Sequence, residues 1–322
     1  MRILLWYAHG SYVNALVRGE HEYLFLDEEP SGAGAPDPTV PWPEGASIVG
    51  VAELAGDPPD LVVCQRLEEI DACARLIGRT PGLDLPAVFI EHNTPADGVP
   101  TSVHPLADRP GWLIVHVTRF NALLWDCGSA ATVVVDHGVL DPGRQWSGDR
   151  RRAAFVVNEP VRRWRVTGTD LLPAVLGHHG VDAFGIDGDR LPAALPGTDV
   201  AFGGNFGPEE LHAKIAHNGV YLHLNRWTSL GLSLLEAMHL GMPVVVLQTT
   251  EAATLPAEIG AVSLDLDKLR RRTFELLADP DDAARCGRVA REIALERYSL
   301  APFLSRWDDA YARASALPVG VP

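Results

Sequence analysis

The chain has 322 residues, 47% of them hydrophobic and 21% charged, with a net charge of −15. That length suggests roughly two domains, and the composition is that of a globular protein with a sizeable core. The acidic balance argues against a general nucleic-acid binder, which needs a basic face, while leaving room for a local basic pocket. Cys64, Cys73, Cys127 and Cys286 lack metal-type spacing and read as free thiols of a reducing cytoplasm. No apolar run approaches the ~20 residues of a membrane span, and MRILLWY has no basic-then-apolar leader before it. A cytoplasmic protein without a transmembrane segment is expected.

Short apolar runs alternate with helical stretches along the whole chain. In the first half strands are expected at Ile3–Tyr7, Tyr23–Leu26, Ser47–Val51, Leu61–Gln65, Val88–His92, Leu113–Thr118 and Thr132–Val135, with helices at Ser11–Arg18, Leu67–Ile77 and Asn121–Cys127. Residues 27–46 form a Pro/Gly-rich loop, and DPGRQWSGDRRR at 141–152 reads as a linker. A second series has strands at Ala154–Val157, Asp182–Ile186, Val220–Leu224 and Val244–Leu247. Its helices are Thr169–Gly177, Pro208–His217, Leu230–Leu240, Leu266–Leu277 and Asp281–Tyr298, followed by Pro302–Ala314. This is the α/β pattern of a parallel sheet with helices on both faces, repeated in two halves. Ligands in such sheets bind beyond the strand carboxyl ends. The loops that matter are therefore Ala8–Ser11, Glu91–Pro95, Asp136–Val139, Asn158–Thr167 and Asn225–Leu230.

The most informative run is TSLGLSLLEAMHLGMPVVV, residues 228–246. Ser229 is expected to cap a helix that Gly241 and Pro243 end, with Val244 to Val246 as a buried strand. Glu236 then lies two turns into a helix apolar nearly all round, where a carboxylate needs a hydroxyl, an amide or a cation. The free N–H groups at the helix start suit a diphosphate, and Gly231 allows close backbone approach. A core helix whose Glu meets a neighbouring backbone group or Arg is the structural alternative.

This run resembles the signature of family-4-type retaining glycosyltransferases of the GT-B fold. The resemblance is specific over residues 228–247, fair over 155–172 and 279–300, and weak in the first half. It implies two Rossmann-like domains facing each other across a cleft, with an acceptor domain over 1–145 and a nucleotide-sugar donor domain over 146–300. It also implies a C-terminal segment, 301–322, whose helix crosses back to the first domain. Glu236 matches the ribose-binding Glu of the family. Ser229, Leu230 and Gly231 match positions whose backbone amides meet the diphosphate. The sugar-holding Glu falls on Thr228, which offers a hydroxyl without charge. In FVVNEPVRRWRVTGTDLL, Glu159 and Thr167 stand where the family has Arg and Lys. Arg163 or Arg165 can supply the missing guanidinium fork, the choice between them being open. Asn205 and Phe206 take positions that wrap the base.

In the acceptor domain, His92 and Asn93 of EHNTP resemble a catalytic loop near the acceptor, where a His orients or deprotonates a hydroxyl. His9 and Gly10 follow the first strand, and His137 and Gly138 follow the last. Each has a structural alternative, as a backbone-satisfied His or a turn. The adjacent His178 and His179 point to different faces, so no metal site is expected. The resemblance thus implies a retaining, metal-independent transferase with no cofactor. Its donor would be a nucleotide-diphosphate sugar and its acceptor an unidentified small molecule, glycan or lipid. Two rivals stand beside it: a nucleotide-sugar epimerase, and a non-catalytic nucleotide-binding or regulatory protein of the same fold.

Overall fold

The structure is a computed structural model that describes residues 1–26 and 42–320. The chain forms two compact units, Met1–Gly138 with Leu300–Pro322, and Val139–Ser299. Most of the Pro/Gly-rich loop expected at 27–46 lies outside the described residues, which resume at Trp42.

Unit 1 runs β1 (Arg2–Leu5), α1 (Gly10–Leu16), β2 (Glu22–Leu26), β3 (Ala46–Val49), α2 (Val51–Gly56), β4 (Leu61–Cys64), α3 (Leu67–Ile77), β5 (Ala87–Glu91), β6 (Trp112–His116), α4 (Arg119–Leu124) and β7 (Ala131–Val134). The seven strands are parallel, in the order β3-β2-β1-β4-β5-β6-β7. β4, β5 and β6 are buried along their whole length, as strands covered on both faces must be. Local signals fix the helix ends. Glu69 accepts the Gln65 and Arg66 N–H groups at the start of α3, and Gly78 closes that helix at φ 66. Thr118 caps α4 through the Asn121 N–H.

Unit 2 runs β8 (Arg150–Val156), α5 (Leu172–Leu176), β9 (Val181–Phe184), α6 (Leu191–Ala194), β10 (Val200–Gly204), α7 (Pro208–Ile215), β11 (Asn218–His223), α8 (Leu232–Leu240), β12 (Val244–Leu247), β13 (Gly260–Ser263), α9 (Leu266–Ala278) and α10 (Pro280–Arg297). Its sheet is also parallel, in the order β10-β9-β8-β11-β12-β13. Both sheets therefore reverse direction once, between β1 and β4 and between β8 and β11, in the doubly wound Rossmann-like manner. Asp265 and Asp279 cap α9 and α10, each accepting two N–H groups of the first turn.

The last helix, α11 (Leu300–Ser315), belongs to unit 1. Its Phe303, Trp307, Ala310, Tyr311 and Ala314 are buried, and Trp307 Nε1 donates to the Tyr12 hydroxyl at 3.3 Å. Large side chains of this kind contribute about 1.5–3 kcal/mol each when fully buried. The boundary falls at Gly138/Val139, seven residues before the expected one, because Val139 N–H already bonds Tyr298 C=O at 2.9 Å inside unit 2.

Candidate functional site

In unit 2 the loops leaving β8 and β11 meet at the switch point of the sheet. They are tied together by Arg226. Its N–H donates to Val166 C=O at 2.8 Å, and its guanidinium grips Asp170 through Nη1–Oδ1 at 2.5 Å and Nη2–Oδ2 at 2.9 Å. Nη1 also donates to Arg165 C=O at 2.9 Å. Burial alone would raise the Asp170 carboxyl; the Arg226 bonds and charge, with Arg165, outweigh it and hold the group below its ordinary value.

The basic turn divides its three arginines. Arg162 is paired with Glu159, a residue in the left-handed region at φ 54. Arg165 lies 3.2 Å from Asp170 Oδ2. The Arg163 guanidinium has no hydrogen-bond partner among the described residues. Thr167 does not stand in for a Lys: it is buried, its hydroxyl donating to Arg163 C=O at 3.2 Å and lying 2.8 Å from the Thr169 hydroxyl. Gly168 sits at φ 71, and a Cβ there would overlap the Leu224 carbonyl.

The helix carrying Glu236 starts later than expected. Ser229 is buried and caps nothing; Gly231, at φ −73 and ψ 123, is the N-cap and α8 begins at Leu232. Leu230 anchors in the core with Leu234 and Leu235, which keeps the chain extended two residues longer. Glu236 is therefore just over one turn into the helix rather than two. Gly231 is required by the protein itself, since a Cβ would come within 2.8 Å of the His223 ring. Burial lowers the His223 pKa to about 4, so this ring is neutral near pH 7. Among the described residues, the N–H groups of Ser229, Leu230, Gly231, Leu232 and Ser233 donate to no acceptor. Glu236 is 8% exposed and its carboxylate makes no hydrogen bond to the described residues; His212 Nε2 lies 3.5 Å from its Oε2. Thr228 is partly buried on the same loop. Asn205 is exposed, and Phe206 is half-buried beneath Lys214 Nζ, 4.4 Å from the ring centre.

Unit 1 gathers three of the expected histidines at the carboxyl ends of β1, β5 and β7. His9 stacks on His92 with ring centres 3.9 Å apart, and Tyr12 meets His92 and His137 edge-on at 4.8 and 5.7 Å. His9 takes φ 52, a backbone state that non-glycine residues rarely occupy outside functional or tightly held sites. His92 Nε2 lies 2.9 Å from Gln65 Oε1, while Gln65 Nε2 donates to Trp6 C=O at 3.1 Å. Gln65 Oε1 thus accepts, and His92 carries its proton on Nε2. Burial lowers all three pKa values, His137 to about 4 and His92 well below its ordinary value, with His9 and His137 adding repulsion at His92. The rings are neutral at pH 7. That suits them to orient a hydroxyl and makes them weak bases.

The side chain of Asn93 is exposed, but its backbone is held. Its N–H donates to Glu91 Oε1 at 2.7 Å, and its C=O accepts from Trp125 Nε1 at 2.9 Å. Leu106 N–H donates to His104 Nδ1 at 3.1 Å, which leaves the His104 proton on Nε2, 3.2 Å from Glu91 Oε2. Gly10 and Gly138 have packing reasons: a Cβ on Gly10 would approach the Tyr7 hydroxyl to 2.8 Å, and one on Gly138 would overlap Phe303. Gln65, Asp170, His212 and Arg226 were given no role from the sequence, and Glu91 only opened the loop Glu91–Pro95. Only Gln65 had a signal, a polar residue closing the apolar run LVVC. His178 and His179 pack on Phe274, and among the described residues no group of three His, Cys, Asp or Glu could hold a metal ion. Among the described residues no helix is long and apolar enough to cross a membrane.

No protein-family model matches the sequence, and no curated protein matches it. Solved structures do. The chain is similar to sucrose-phosphate synthase from Thermosynechococcus elongatus, with 14% identity over 97% of this chain and 98% of that one and a TM-score of 0.73. It is similar to Anabaena HepE in complex with UDP and glucose, with 13% identity over 97% of this chain and 100% of that one and a TM-score of 0.69. A Staphylococcus aureus TarM variant in complex with UDP and α-GlcNAc-glycerol matches 81% of this chain at 14% identity, with a TM-score of 0.61. Here the chain spans 58% of the TarM length. At these identities the likeness is one of fold. The chain has the GT-B fold, two Rossmann-like domains of parallel sheet and interleaved helices.

Proposed function

We propose that this GT-B chain is a glycosyltransferase, moving a sugar from a nucleotide-diphosphate sugar to an acceptor hydroxyl with retention and without a metal. Unit 2 holds the donor and unit 1 the acceptor. The observation that carries the reading is Glu236, a nearly buried carboxylate without a hydrogen bond among the described residues, one turn behind five consecutive N–H groups that donate to no acceptor there. The opening N–H groups of a helix have no intrahelical acceptor and are met by water, side chains or a ligand. The unmet set here matches a ribose diol, which donates two hydrogen bonds, and a diphosphate, which accepts several.

In this reading the helix start and Arg163 stabilise the diphosphate as it leaves with the glycosidic electron pair. Thr228 offers the sugar a hydroxyl, and Asn205 and Phe206 flank the base. In unit 1 the neutral His92, fixed by Gln65 and stacked on His9, orients the acceptor hydroxyl. His137 and the backbone-held Asn93 complete that side. Retention rests on the resemblance of residues 228–246. UDP complexes among the structural neighbours make UDP the first nucleotide to test. A second reading, nucleotide binding without turnover, draws support from Thr228 in place of a Glu and from the buried Thr167 in place of a Lys.

The experiment is a thermal-shift panel of UDP, ADP and GDP, followed by a hydrolysis screen of the matching nucleotide sugars. Stabilisation by one nucleotide, lost in Glu236→Ala, is expected, with slow sugar release. Absence of any shift at millimolar nucleotide refutes the donor site. Binding with no sugar release or transfer selects the second reading.

A further inference from the structure

Resting on the donor reading above, we propose that His212 is a positioning residue that holds Glu236 in the orientation required by the ribose diol. His212 stands on α7, which packs beside α8, and is 7% exposed. Its Nε2 is buried without a hydrogen-bond partner and lies 3.5 Å from Glu236 Oε2. A buried imidazole nitrogen left unmet costs free energy that one short hydrogen bond to the neighbouring, slightly exposed carboxylate removes. A small side-chain rotation closes the gap.

Two other polar side chains that feel the Glu236 charge, Tyr221 and His239, are already engaged. The Tyr221 hydroxyl donates to Ser233 Oγ at 2.8 Å, and its pKa is raised by burial and in part by the Glu236 charge. His239 Nδ1 is bound to Leu235 C=O at 2.8 Å. Of these three side chains, His212 is the one whose donor is left for Glu236. One bond to Oε2 fixes the carboxylate plane and leaves Oε1 for the diol. The same helix places Lys214 over Phe206, so α7 sets the carboxylate and the aromatic residue assigned to the base as one rigid piece.

The test compares wild type, His212→Phe, which fills the space without a donor, and His212→Gln, which restores one. Binding of UDP, ADP and GDP, of their 2′,3′-dideoxy forms and of inorganic pyrophosphate is measured by calorimetry. The Phe variant is expected to lose about tenfold in affinity for the binding ribonucleotide, the scale of one hydrogen bond to a charged group. Its affinity for the dideoxy form and for pyrophosphate stays unchanged, and the Gln variant recovers most of the loss. Equal losses for ribo and dideoxy ligands, or no loss at all, overturn the role of His212. Failure of all three ribonucleotides to bind wild type sinks the donor reading instead, and this inference with it.

Discussion

Replacing Asp170 with Ala removes the acceptor that ties the two switch-point loops of unit 2. Arg226 then keeps the Arg165 carbonyl but loses both carboxylate bonds, at 2.5 and 2.9 Å, and Arg165 loses its partner. Leaving one member of a fully buried ion pair costs about 3–5 kcal/mol. Here the Asp170 and Arg226 side chains are 20% and 25% exposed, so water recovers part of that loss. A destabilisation of about 2 kcal/mol follows, the lower range for hydrogen bonds to charged groups. For a unit of this size that is a fall in Tm of about 4–8 °C. The pH dependence has a definite sign. The folded-state pKa of Asp170 is depressed, so its contribution is complete above the unfolded carboxyl value of about 3.9 and fades as pH falls through the lower folded value. Scanning calorimetry of wild type and variant should give a constant gap from neutral pH down to mild acid, closing only below that value. A gap near zero at neutral pH, or one that closes well before the carboxyl titrates, would refute the reasoning.

Two further outcomes follow from unit 2. Arg163→Ala should weaken UDP binding about tenfold and leave uridine binding unchanged, since its guanidinium has no hydrogen-bond partner among the described residues. Arg165→Ala, whose removal still leaves Arg226 on Asp170, should change either ligand much less, and a larger effect at Arg165 reverses the assignment. Gly168→Ala should cost about 3 kcal/mol in urea denaturation, combining a left-handed φ of 71 with overlap on the Leu224 carbonyl of the neighbouring loop. A variant as stable as wild type would show that this turn has room to move.

Much of the fold was legible because parallel strands covered on both faces leave short, continuous apolar runs, as in LVVC at 61–64 and VVVL at 244–247. The misses have physical causes. β10 is an edge strand, alternately exposed and closed by two glycines, so neither burial nor propensity marks it. β13 is four residues long, and Val51 starts a helix instead of finishing a strand. At the candidate site, a lone Glu in an apolar helix was visible to pattern reading. Its surroundings were not. Arg226 and Asp170 are 56 residues apart, and His212 reaches Glu236 from another helix. The expected Ser229 cap failed because the adjoining Leu230 is claimed by the core, a competition that local preference does not register.

The return of α11 to unit 1 makes that unit discontinuous, with residues 139–299 inserted between its two parts. During synthesis the inserted unit is complete before Trp307 exists, so the first-made half waits without the aromatic wedge that closes its core. Expression of residues 1–138 by themselves should therefore yield an aggregating fragment. Splicing 300–322 onto it by a short linker should rescue it, and the excised middle should fold unaided.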